Sequence, residues 1–226
     1  NFYVDADHII AVLSGEIRHD MPIEYVEKLF DEHASSFEKI LVKELNYKTP
    51  VIITKRIRNK FKNNRFNRVL DLGCGSGLFG ESIRPFCNYL CGVDISEKII
   101  YEAEKKKIYD TLCHADIIDY LQTNKSKFDL VVCLDVFVYL GNLDKIFPLL
   151  RMAGLPETIY TFSTEHSDTI QGYNLEKSGR FSHSQNYINK VCTDNNFELI
   201  DVWFEDLRKE QGKMLVGGHY VMRNKN

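Results

Sequence analysis

The sequence predicts an α/β fold: a doubly wound, seven-stranded and mostly parallel sheet with an antiparallel C-terminal hairpin, behind a helical N-terminal extension. Three observations carry this. From residue 69 onward, short apolar runs alternate with helical stretches, the order that a parallel sheet with crossover helices requires. The run FDLVVCLDVF (128–137) is almost continuously apolar, as expected of a central strand covered on both faces. Near the end, FELIDVWFEDLRKE and KMLVGGHYVMR flank Gln211 and Gly212, a hairpin signal that makes the last pairing antiparallel.

In chain order, apolar residues at helical spacing run over 23–45 and 51–61 before any strand. Strands are then expected at 69–72, 90–94, 112–116, 130–134 and 159–163, with helices near 78–84, 97–107, 117–125 and 143–152. The expected organisation is a helical lid or extension over 1–62 and the sheet domain over 63–226, together one compact domain, a size that 226 residues and 44% apolar content support. The formal charge of −3 provides no global field for nucleic acid or an anionic membrane, so a small-molecule partner is expected. No apolar run approaches the twenty or so residues of a membrane span. The six cysteines (Cys74, Cys87, Cys91, Cys113, Cys133 and Cys192) show no zinc-ligand pairing, so no metal and a reduced, cytoplasmic setting are the expectation.

The most informative stretch is VLDLGCGSGLFG (69–80). An apolar strand reaches Asp71 and runs into Gly73, Gly75 and Gly77, which tolerate the positive φ of a tight strand-to-helix turn and let backbone approach a ligand. Gly75, Gly77 and Gly80 also satisfy G-x-G-x-x-G, the dinucleotide fingerprint, so a nicotinamide-binding oxidoreductase is the rival. An acid at Asp71 argues against a pyrophosphate there. Asp94, in YLCGVDIS about twenty residues on, suits ribose hydroxyls of either cofactor, and Asp116 ends LCHAD after a third strand.

The D-x-G-x-G-x-G run from Asp71 resembles motif I of class I S-adenosylmethionine (SAM) dependent methyltransferases, which have a Rossmann-like sheet. With YVEKLFDEHASSFEKILVKELNYKTP, FDLVVCLDVFVYLGNL and SGRFSHSQNYI, it resembles bacterial predicted methyltransferases that often follow tetratricopeptide repeats. The resemblance covers nearly the whole chain and implies SAM as cofactor, S-adenosylhomocysteine (SAH) as product and, since the chain starts at Asn1 without Met, a possible upstream repeat segment. It implies a cofactor site at Asp71, Gly73, Cys74, Gly75, Gly77, Asp94, Ile95, Asp116, Ile117 and Leu134, with Asp116 on the adenine amino group. Phe30 and Phe37, on a segment that resembles a small-molecule methyltransferase lid, would close over it; Tyr47 and Lys48 either line the cofactor carboxylate or cap a helix. The sequence departs from that group at RMAGLPET, where a leucine-lysine-proline-glycine-glycine turn is usual, and at His33, where the lid usually has tyrosine.

Methyl transfer needs placement more than side-chain chemistry, since holding the acceptor in line with an activated methyl supplies roughly 7–11 kcal/mol of barrier reduction. Candidates for the acceptor side come from the loops after the fourth and fifth strands and the segment before the last helix. Asp135 ends the fourth strand and either faces the substrate or caps the next turn; His183 titrates near neutrality and suits a proton acceptor; Arg180 would clamp an acidic group. Tyr139, Glu165 and His166 share those loops. The basic run Lys55, Arg56, Arg58, Lys60, Lys62, Arg65 and Arg68 reads as a solvated helix face; lining the active-site mouth, it would favour a protein or RNA acceptor. A SAM-binding module without catalysis is the remaining alternative.

Overall fold

A computed structural model describes residues 2–14, 18–61, 65–210 and 212–225. Lys62, Gln211 and the 62/63 boundary fall outside the described residues. The sheet is built from β1 (Phe66–Leu72), β2 (Cys87–Asp94), β3 (Thr111–His114), β4 (Phe128–Cys133), β5 (Gly154–His166), β8 (Phe197–Glu210) and β9 (Lys213–Asn224). Their spatial order is β3-β2-β1-β4-β5-β9-β8, parallel through β5, after which β9 runs antiparallel to both β5 and β8. The order of the strands reverses at the β1/β4 boundary, so a crevice opens at the carboxyl ends of β1 and β4.

Helices cover both faces. On one side α4 (Thr49–Lys60) and α5 (Leu78–Ile83) pack Ile53, Ile57, Phe79 and Ile83 on Val69, Leu90, Leu130 and Val132. On the other, α7 (Ile117–Thr123), α8 (Ile146–Ala153) and α9 (Gln185–Asp194) pack on Leu70, Leu72, Val93 and Val131 around Phe137, Phe147 and Phe162. The alternation Val69 against Leu70 and Leu72 is the period of two that sends successive side chains to opposite layers. Local caps fix where crossovers begin: Ser96 Oγ accepts from Ile99 N at α6 (Glu97–Lys105), and Ser184 Oγ from Tyr187 N at α9.

Three features differ from the sequence expectation. The single helix expected over 23–45 is α2 (Ile23–His33), a short α3 (Phe37–Lys39) and a π-helical turn Ile40–Glu44; the break follows the Ser35-Ser36 pair, where Ser36 Oγ donates to His33 O (3.2 Å). A further helix, α1 (Phe2–Ser14), precedes these; buried His8 ties it to Gly179 O (3.1 Å), a contact across 171 residues that local periodicity does not encode. A ribbon of β6 (Tyr173–Leu175) and β7 (Phe181–His183) pairs with the end of β5, beyond the reach of β4. Among the described residues, no helix is long and apolar enough to cross a membrane.

Candidate active site

The floor of the crevice is the loop leaving β1. Gly73, Gly75 and Gly77 all have positive φ (69°, 53° and 90°), so the chain turns three times in a space where side chains are strained. The amides of Gly73 and Cys74 donate to Val93 O (2.8 and 3.0 Å), locking the loop onto β2. Asp94 sits between this loop and α6, its Oδ2 accepting from Gly75 N (2.8 Å) and Oδ1 from Ser96 N (3.0 Å). Asp116 is the N-cap of α7, with Oδ1 accepting from Ile118 N and Asp119 N (2.8 and 3.2 Å). Asp71 is 2% exposed and accepts from the Tyr109 hydroxyl (2.6 Å). Burial pushes its carboxyl up to about 7, helped by the charge of Asp94 and opposed by the Tyr109 bond.

The roof is the segment from α2 to the π-helical turn. Phe30 meets Phe37 and Tyr139 edge to face, with centroids 5.5 Å apart in both pairs. The Phe37 ring lies so close to Gly75 that a Cβ there would be 3.2 Å from it. Polar ties hold the roof down: Ser96 Oγ donates to Asp31 Oδ1 (2.6 Å), Ser76 Oγ to Glu38 Oε2 (2.9 Å), and Lys106 pairs with Glu38 (2.6 Å). At the end of the π-helical turn, Leu45 O accepts from Lys209 N on β8 (2.9 Å).

The far wall follows β4. Asp135 adopts φ 58°, and its N–H donates to Ser163 Oγ (2.8 Å). Its Oδ1 accepts from Arg208 Nη1 (2.5 Å), and Arg208 Nη2 donates to Glu165 Oε1. Arg208 reaches this position because the pairing of β8 with β9 slips between Asp206 and Arg208, a bulge that re-aims the strand. Between floor, roof and wall lies a cavity of about 300 Å³.

Of the residues expected at the cofactor, Asp71, Gly73, Cys74, Gly75, Asp94, Ile95, Asp116, Ile117, Leu134, Phe30 and Phe37 line this one cavity, as do Asp135, Arg180, Tyr47 and His33. Gly77 does not; it is the left-handed residue before α5. Lys48 precedes the first turn of α4 and does not line the cavity either. Gly80 serves the floor from behind: a Cβ there would be 2.5 Å from the Tyr109 hydroxyl, so this glycine makes room for Tyr109 to reach Asp71.

His183 is a correction. It is fully buried in β7, away from the cavity, and its Nε2 donates to Leu140 O and Gly141 O (3.0 and 3.1 Å). Burial lowers its pKa to about 4, so the side chain is neutral, enclosed and committed to backbone, not a proton acceptor for a bound molecule. The consequence is acid sensitivity. A folded pKa below the ordinary 6.5 means stability that is present above 6.5 and lost as the pH falls toward 4. The expected loss from His183 is about 2 kcal/mol at pH 5. His183→Gln keeps an N–H donor without the titration; urea unfolding at pH 7 and pH 5 is expected to show a smaller acid loss in the variant, and equal losses would refute it.

The basic run is used elsewhere. Arg56 pairs with Asp201 (2.9 Å) and stacks on Trp203, Arg58 stacks on Phe86, Arg68 on Tyr89, and Arg65 donates to Cys87 O (3.4 Å); none of the described members lines the cavity. Tyr109 and Arg208 are site residues that the sequence reading did not single out. Tyr109 follows a crossover helix with no motif around it, and Arg208 depends on a bulge.

A sequence profile described as a methyltransferase domain matches residues 70–154. Among curated proteins, the ubiquinone biosynthesis O-methyltransferase of Aromatoleum aromaticum is 32% identical over 76 residues, 30% of this chain and 31% of that protein. The 18S rRNA (guanine-N(7))-methyltransferase of Arabidopsis thaliana is 29% identical over 94 residues, 41% of this chain and 32% of that protein. The chain thus spans about a third of the length of these relatives. Among solved structures, magnesium protoporphyrin IX methyltransferase from Synechocystis, crystallised with bound SAM, superposes with a TM-score of 0.69 at 17% identity, covering 90% of this chain and 97% of that one. The fold is therefore that of SAM-dependent methyltransferases.

Proposed function

We propose that this chain is a SAM-dependent methyltransferase acting on a small-molecule acceptor. The observation that carries the reading is the convergence of three strand-end carboxylates, Asp71, Asp94 and Asp116, on one roofed cavity above a glycine floor. This donor set fits SAM. Asp71 would take the ammonium of the methionine end, Asp94 the ribose hydroxyls beside Gly75, and Asp116 with Ile117 the adenine. When bound, SAM supplies an electrophilic methyl group on a sulfonium. The residues of the chain supply the rest: the aromatic roof excludes water, and Gly73 and Gly75 present bare backbone to the cavity where an added Cβ would meet Val136 or Phe37. A pyrophosphate is disfavoured by Asp71 on the same wall, and the third glycine of its fingerprint is occupied by Tyr109. The paired and stacked basic run supports a small acceptor over an RNA or a protein.

Calorimetric titration with SAH, with NAD in parallel, tests the cofactor. The expected result is micromolar binding of SAH alone; binding of NAD alone would overturn the reading. Asp94→Ala is expected to weaken SAH by about 1.5–3 kcal/mol, roughly 10- to 150-fold, because hydrogen bonds to a charged group are lost. An unchanged affinity would place the cofactor elsewhere.

A further inference from the structure

We propose that the acceptor presents a hydroxyl group to the Asp135 carboxylate, with Arg208 and Glu165 as the positioning residues that hold that carboxylate at the cavity wall. The proposal deepens the methyltransferase reading and rests on it.

Asp135 is fixed from three directions. Its backbone is left-handed and tied to Ser163 Oγ, its Oδ1 is tied to Arg208, and Arg208 is tied in turn to Glu165. Arg208 is 2% exposed, so both of its prongs are spent on carboxylates inside the protein. Asp135 thereby stands at the cavity wall as a carboxylate held in place, while Arg208 and Glu165 brace it from behind. A carboxylate fixed there accepts from a hydrogen-bond donor on the bound molecule. Arg180, the other cation on the wall, lies against the Tyr139 hydroxyl. The charge of Asp135 is also felt by three neutral groups, Tyr47 before α4, Tyr139 after β4 and His219 on β9.

Among donors, the choice between an alcohol and an amine follows from proton chemistry. An alkylammonium gives up its proton to a carboxylate only about six pK units uphill, so the wall would hold such a group in its unreactive form. A hydroxyl oxygen is nucleophilic while still protonated and becomes strongly acidic as it is alkylated. The step balances as follows. The acceptor oxygen bonds to the methyl carbon, the carbon–sulfur bond breaks with its electron pair left on sulfur, and the hydroxyl proton passes to Asp135 Oδ2 and then to water.

The test uses the purified chain with SAM and three probes of similar shape, catechol, benzylamine and benzoate, with methylated product read by mass spectrometry. Transfer to catechol alone is expected. Asp135→Asn should lower kcat by about 10²- to 10⁴-fold, with catechol KM and SAH affinity hardly changed. Arg208→Lys keeps the charge without the fork and is expected to retain part of the kcat that Arg208→Gln loses. Should Arg208→Gln fail to fold, Asp135→Asn and Glu165→Gln still decide: the latter is expected to lower kcat without moving SAH affinity. Preferred methylation of benzoate or benzylamine, transfer to none of the three, or an Asp135→Asn variant with unchanged kcat would overturn the proposal. Failure of the unaltered chain to bind SAH would instead strike the methyltransferase reading itself.

Discussion

Asp71→Asn is expected to make the unliganded protein more stable at pH 8 while weakening its hold on SAH. The carboxyl is buried at the end of β1 and held at about 7, against an ordinary value of 3.8. A folded pKa above the unfolded one means that the stability is whole below 3.8, declines as the pH climbs, and is flat above 7. The three-unit difference corresponds to about 4 kcal/mol at most. Asparagine has the same shape, still accepts from the Tyr109 hydroxyl, and does not titrate, so the penalty disappears. The same change removes the negative charge expected against the methionine ammonium, for a loss of about 1.5–3 kcal/mol in SAH binding. Urea unfolding of both proteins at pH 4, 6 and 8 checks the first part. The gap between them should widen with pH, and a gap independent of pH would refute the assignment. Calorimetry on the wild type should also show SAH binding strengthening as the pH rises through 7, because the bound cation favours the ionised carboxylate.

Gly73→Ala is expected to cost about 2 to 5 kcal/mol in stability and to abolish measurable SAH binding. Two terms contribute. At φ 69° an L side chain is strained by roughly 1–2 kcal/mol, and the new Cβ would lie 2.1 Å from Val136 Cγ2, so that valine must move. Val136 follows Asp135 directly, and the displacement passes into the wall opposite the floor. The double variant Gly73→Ala with Val136→Ala separates the terms: stability should return in part, leaving the backbone strain. A single variant as stable as the wild type would mean that the loop has room that this geometry denies it.

How much of this was written in the chain depends on how far each signal had to travel. The glycine floor and the acids Asp71, Asp94 and Asp116 were legible because each stands at the end of its own apolar run, within a few residues of the elements that place it. The parallel character of the sheet and its closing hairpin were legible for the same reason. Phe30 and Phe37 were visible as helix-spaced aromatics, yet the turn between them, which seats Phe37 over Gly75, was not. His183 was misread because its environment is made by the three-residue strands β6 and β7, by their pairing with the end of β5, and by the distant carbonyls of Leu140 and Gly141. Arg208 lay inside an ordinary-looking strand; only the slipped register at Asp206 turns it inward, toward Asp135 73 residues away. The basic run was legible as a solvated face, with Lys55, Arg58, Lys60 and Arg65 exposed; what sequence does not display is Asp201 and Trp203 beside Arg56.

The bond from Lys209 N to Leu45 O joins the end of the roof to the residue beside Arg208. Roof and far wall are therefore one mechanical unit: the segment that covers the cavity also steadies the strand whose arginine braces Asp135. On the proposed reading, a compulsory order with cofactor first and acceptor second is the expected result of product-inhibition kinetics, because Asp31 and Glu38 tie the roof to serines beside the glycine floor.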